Sequence, residues 1–149
     1  MPLNVFRMME ITGRSLSVQR TRMEVVSSNL ANAQTTRTPE GGPYRRRDVI
    51  LQADAARDDF GMLLDDELTQ SVHSVRVVEI QPDQTDPRLV YDPDHPDAND
   101  EGYVAYPNVD SVEEMVNLIT TMRTYEANLS VLSATRDMTT SALRIGRDA

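Results

Sequence analysis

There is no cysteine among these 149 residues. That excludes a disulfide framework, a thiolate metal site and a thiol nucleophile. Tryptophan is also missing, and aromatic residues make up only 5% of the chain, so any compact core is small. Every basic residue is arginine, a composition that fits a GC-rich genome better than a function. No apolar run approaches eighteen residues, so nothing is predicted to span a membrane. The opening stretch MPLNVFRMMEITGR has no basic segment followed by an apolar core, and no Sec-type signal peptide is expected. There is no glycine-rich phosphate loop. The two histidines, His73 and His95, stand near no serine and aspartate set resembling a nucleophile elbow or triad. Carboxylates are plentiful, but none lies in an apolar run that would raise its pKa. No catalytic, cofactor-binding or metal-ligating residue is therefore assigned.

The net charge is −9, and it is unevenly spread. Residues 1–35 carry an excess of two arginines, residues 108–149 an excess of two acids, and residues 36–107 an excess of nine acids. An acidic chain without a basic stripe is a poor nucleic-acid binder.

What is present is helical periodicity at both ends. From Val109 to Ile145 there is neither glycine nor proline. Alternating steps of three and four pass through Met115, Leu118, Met122, Tyr125, Leu129, Leu132, Arg136, Thr139 and Leu143. That is a heptad-like seam on one helix roughly 50 Å long. Val112, Val116 and Ile119 widen it at the start. Ser111 is expected as N-cap with Glu114 reaching back to its amide, and Gly146 as the stop. A second amphipathic helix is expected over residues 4–32, with Val5, Met9, Leu16, Met23, Val26 and Leu30 as its stripe and Phe6, Ile11 and Val25 beside it. Gly13 interrupts it and implies either close approach of another backbone or a kink. The methionines at 8, 9, 23, 115, 122 and 138 are expected as adaptable core packing.

The middle reads differently. Residues 38–43, TPEGGP, form a turn. Strands are expected over 44–52, 74–81, 89–91 and 103–106, with Val75, Val77 and Glu79 facing away from Arg76, Val78 and Ile80. The acidic stretch 53–74 reads as a loop. Arg45, Arg46 and Arg47 form a basic run, suited either to an acidic partner face or to a solvated strand end. Residues 92–102 gather five carboxylates, but their spacing departs from the EF-hand loop and two prolines interrupt it, so a turn-rich connector is expected. The fold class is α+β: long N- and C-terminal helices paired as a coiled coil, with a small antiparallel β-rich domain inserted between them. The units are 1–35, 36–107 and 108–149.

Two motifs stand at the two ends in a fixed order. Ser27-Ser28-Asn29-Leu30-Ala31-Asn32-Ala33-Gln34-Thr35 resembles the NLAN motif of bacterial flagellar axial proteins. Pro107-Asn108-Val109-Asp110, Glu113 to Ile119 and Arg123 to Asn128 resemble their C-terminal rod motif. Pro43-Tyr44-Arg45, Leu89-Val90-Tyr91-Asp92-Pro93, His95-Pro96-Asp97-Ala98 and Glu101-Gly102-Tyr103-Val104, with the short length, are similar to the FlgC family of proximal rod proteins. The resemblance implies a structural subunit exported through the flagellar type III apparatus without a cleaved signal and assembled into the rod that crosses the periplasm. It implies partners as well: further copies of the chain, other proximal and distal rod proteins, the export-gate adaptor FliE and the membrane-embedded ring. No cofactor is implied. It adds Asn29 and Asn32 to the assembly residues, which are otherwise Val5, Met9, Leu16, Met23, Val26, Leu30, Met115, Leu118, Ile119, Met122, Tyr125, Leu129, Leu132 and Leu143. Two seams on one chain can bury each other, and the terminal helices are expected to gain order on assembly. Periodicity without the motifs fits a non-polymerising helical-hairpin adaptor equally well.

Overall fold

A computed structural model describes residues 5–55 and 73–147. The chain is α+β. Helix α1 (Val5–Ala31) is followed by strands β1 (Arg47–Ala55), β2 (His73–Pro82), β3 (Arg88–Tyr91) and β4 (Tyr103–Tyr106), and helix α2 (Ser111–Arg147) closes the order. The strands form two separate antiparallel pairs, β1 with β2 and β3 with β4, each a two-stranded sheet. The acidic loop expected over 53–74 is shorter than that: 53–55 and 73–74 belong to strands, and the remainder lies outside the described residues.

The helices run antiparallel, because Asn29 near the end of α1 meets Glu114 at the start of α2, while Met8 meets Thr135. The same register sets Val5 opposite about residue 138, so the last two turns or so of α2 run on past α1. α1 packs against the β1–β2 hairpin as well. Among the described residues, Val18, Val25, Tyr44 and Val104 are the buried apolar and aromatic ones, a small core in keeping with the scarcity of rings.

Local chemistry shifts several expected boundaries. The N-cap of α2 is Asp110 and not Ser111: its Oδ1 accepts the amides of Val112 at 2.8 Å and Glu113 at 3.3 Å. A carboxylate suits the positive end of a helix, and Glu114 is drawn away to a buried partner described below. Gly146 does not stop the helix, which continues to Arg147; glycine permits a left-handed exit without compelling one. α1 is unbroken across Gly13, and among the described residues nothing lies within 4 Å of where a Cβ would sit, so none of their backbone approaches it. β1 starts at Arg47, later than expected, because Tyr44 turns inward and gives its amide to the Thr35 carbonyl at 3.0 Å.

In β2 the expected alternation fails at Val78. Ile50 pairs with Glu79 and Leu51 with Val77, so Val78 is the extra residue of a bulge. The bulge returns Ile80 to the face of Val75 and Val77, where Val49 and Leu51 also lie. The turn at 38–43 forms as expected, with Gly41 and Gly42 at φ 93° and 75°. Residues 92–102 make successive turns. Asn99 Oδ1 accepts the amides of Glu101 and Tyr103, and Asp97 holds the connector to the end of the NLAN segment through the Thr36 hydroxyl at 2.8 Å.

Candidate assembly surface

The two motif regions meet at a polar clasp. Asn29 is 1% exposed, and its amide is saturated. Nδ2 donates to the Arg47 carbonyl at 2.9 Å and to Glu114 Oε2 at 3.3 Å. Oδ1 accepts the Arg47 amide at 2.9 Å and the Tyr44 hydroxyl at 3.0 Å. The side chain thus pairs with Arg47 as a neighbouring strand would. Since Tyr44 gives its proton to Asn29, the Ser28 hydroxyl, 3.3 Å away, donates to the Tyr44 oxygen. Glu114 is as buried as Asn29 and accepts Arg46 Nε at 2.7 Å. Arg46 Nη1 also reaches Asp48 at 2.6 Å. Burial works against the Arg46 charge, but the hydrogen bond and charge of Glu114, with Asp48, outweigh it and raise its pKa. The clasp joins α1, the entry to β1 and the first turn of α2.

Asn32 is used within the chain too: Nδ2 donates to the Ser28 carbonyl at 2.8 Å, and Oδ1 accepts the Thr35 hydroxyl. The basic run divides its work. Arg46 is inside the clasp, Arg47 stacks 5.8 Å from the Tyr44 ring centroid, and Arg45 remains exposed.

Below the clasp, the row buried between the helices is not the large apolar row. On α1 it runs through Met8, Ile11, Ser15, Val18, Val25 and Asn29, one residue before the expected stripe. On α2 the fully buried positions are Glu114, Thr121 and Thr135, with Leu118, Tyr125, Leu132 and Thr139 half-buried between them. Neighbouring rows on a helix differ by only about 100° of rotation, which periodicity resolves poorly. The threonines tolerate burial because Thr121 and Thr135 each return the hydroxyl proton to the carbonyl four residues back, at 2.7 and 2.9 Å. The Thr135 hydroxyl also lies 3.5 Å from Met8 Sδ across the seam.

Leu118, Tyr125 and Leu132 keep their place in the seam, and other large side chains are displaced outward. Of the sequence-predicted residues, Met9, Leu16, Met23, Val26, Leu30, Leu118, Tyr125 and Leu132 are half-buried. Val5, Met115, Ile119, Met122, Leu129 and Leu143 are exposed. Met115, Met122 and Met138 are therefore surface residues and not core packing. Helical geometry puts Met115, Met122 and Leu129 along one lip of the seam, and Val112, Val116 and Ile119 on the far side of α2. Val112 is 66% exposed and Leu143, on the overhanging end, 71%. Glu114, Tyr44 and Arg46 were not legible as a clasp from the sequence. In the sequence Glu114 lies one residue off the expected seam and reads as part of a capping box.

Among the described residues, no group of three or more acids and histidines is placed to hold a metal ion, and no helix is long and apolar enough to cross a membrane.

The motif regions coincide with two family profiles. Residues 9–37 match the flagella basal body rod protein profile, and residues 100–145 the C-terminal profile of flagellar basal body rod FlgEFG proteins. Whole-chain relatives agree. The flagellar basal-body rod protein FlgC of Bacillus subtilis (strain 168) is 43% identical over 152 residues, covering 97% of this chain and all of the relative. The protein of the same name from Borreliella burgdorferi is 40% identical over 150 residues, 96% of this chain and 98% of the relative. That from Salmonella typhimurium is 39% identical over 145 residues, 97% and 98%.

Proposed function

This chain belongs to the FlgC family of flagellar basal-body rod proteins, and on that premise we propose that it enters the rod through the apolar faces its helical hairpin leaves open. It is a structural subunit of the flagellar basal body and assembles with other rod components. The observation that carries the finer reading is the continuous apolar surface of α2: Val112, Met115, Val116, Ile119, Met122 and Leu129. A face of that extent on a soluble subunit marks an interaction site. Each of these half-exposed side chains would contribute about 1 kcal/mol when covered. In this reading contacts through the face are heterologous and propagate as a helix instead of closing a dimer.

The helices then form a continuous wall, and the clasp ties each hairpin to its β-rich segment so that torque passes between them. The work is mechanical and needs no catalysis. The neighbours in this reading are further copies of the chain and the proximal and distal rod proteins, with the adaptor FliE and the membrane ring at the lower end. A non-polymerising adaptor is not favoured, since the whole-length relatives are rod proteins.

The test separates outer face from seam. Ile119→Asp and Leu129→Asp change exposed positions, so the isolated variants should unfold at the wild-type urea midpoint while failing to enter basal bodies and leaving cells non-motile. Normal swimming with either variant in place would sink the assignment of this face.

A further inference from the structure

Strands β3 and β4 have two faces with different fates. Inward, Val104 is fully buried, Val90 is half-buried, and Tyr106 lies under Arg88, 5.9 Å from its ring centroid, beside His95. Outward are Leu89, Tyr91, Tyr103 and Ala105, since Leu89 pairs with Ala105 and Tyr91 with Tyr103. Leu89 is 63% exposed and Tyr91 65%. The inward face already packs the sheet, so the fold gains little from the outward one. Yet two of the chain's five tyrosines are there.

The outward rings are held in place. Tyr91 and Tyr103 meet edge to face at 5.3 Å. The Tyr91 ring lies against Gly102, where φ is +81° and a Cβ would come within 2.9 Å of the ring. The glycine therefore lets the ring lie flat, and two rigid aromatic surfaces with little rotamer entropy to lose suit a binding anchor. At the turn end of the patch the flanking residues Asp94, Asp100 and Glu101 are exposed. Carboxylates beside aromatic faces repel phosphate, which excludes nucleic acid and an anionic membrane surface. They attract a guanidinium or ammonium group through charge and through the ring faces.

We propose that the Leu89–Tyr91–Tyr103 face is a second docking surface, taking from a neighbouring protein subunit of the rod an aliphatic segment that carries an arginine or lysine. The proposal rests on membership of the rod but not on the α2 face, so either surface can fail alone.

Because the chain has no cysteine, Leu89→Cys gives a single thiol. A maleimide should label it in the isolated subunit and roughly tenfold more slowly in basal bodies stripped of membrane by detergent, where only protein can shield it. Equal labelling in both states overturns the proposal. Exclusion of Leu89→Cys from basal bodies that accept Gln84→Cys would support it, because Gln84 is exposed outside the patch. Exclusion of both, with both folded by circular dichroism, would count against it, since the effect would then not belong to this face. For the charge requirement, Asp100→Arg with Glu101→Arg should reduce incorporation roughly tenfold, whereas Glu79→Arg on β2 leaves it unchanged. Unchanged incorporation of the doubly reversed chain overturns a cationic partner.

Discussion

Asn29 makes four hydrogen bonds to three residues on two other segments, and no other side chain type offers two donors and two acceptors in so short a reach. Asn29→Ala would leave the Arg47 backbone, the Tyr44 hydroxyl and a Glu114 oxygen short of a partner in a buried site. The expected loss is about 2–4 kcal/mol, read as a lower urea midpoint. Asp83 shows a milder version on the surface. The Thr85 amide, 2.9 Å away, and then the Thr85 hydroxyl, at 2.8 Å, hold its carboxyl below the ordinary range. A carboxyl with a lowered folded pKa stabilises the fold above its unfolded value, and that contribution disappears as pH falls through the folded value. The 82–86 turn should therefore stay intact at pH 5. An NMR titration of the Asp83 carboxyl should show a midpoint below about 4, the usual aspartate value; a midpoint above that would contradict the assigned hydrogen bonds.

α1 and α2 illustrate how an element can be correct in extent and rotated in detail. On α1 packing selects the adjacent row, Ser15 and Val18 among it, whereas on α2 it keeps Leu118, Tyr125, Leu132 and Thr139 of the expected seam and replaces Met115, Met122 and Arg136 with Glu114, Thr121 and Thr135. Small seam residues let the helix backbones approach, and the displaced larger side chains line the outside. The helix pair therefore leaves much of its apolar surface uncovered within the subunit. Gly13 fits this division: among the described residues, a Cβ placed there would meet nothing within 4 Å. Gly13→Ala should stabilise the isolated subunit by about 1 kcal/mol through helix propensity alone, seen as a raised thermal midpoint. If that variant folds better yet enters the rod poorly, the glycine is needed by a neighbouring backbone.

The subunit as a whole carries its unfinished surface on the helices and on the outward face of β3–β4. Its core is small, and α2 extends beyond the cover that α1 provides. A chain of this kind should gain order by mass action when partners bind the folded form. Ellipticity at 222 nm should fall on dilution of the purified subunit and recover when other rod proteins are added. Full helicity, unchanged at the lowest measurable concentration, would remove assembly as the source of helical order.

Periodicity and turn chemistry are local, and what they encode was readable from residues alone. That includes two long terminal helices, four strands in order, the glycine turn at 41–42, and the paired end motifs that mark a rod protein. Three-dimensional packing settled the matters that depend on distant residues. The choice of Asp110 over Ser111 as cap follows once Glu114 is captured by Arg46, sixty-eight positions away in the chain. The one-residue shift of the buried row on α1, the bulge at Val78 and the inward use of Asn29 follow in the same way. Each is a competition between neighbours that are close in space and far apart in sequence, and a pattern with a period of three or four residues carries no record of who those neighbours are.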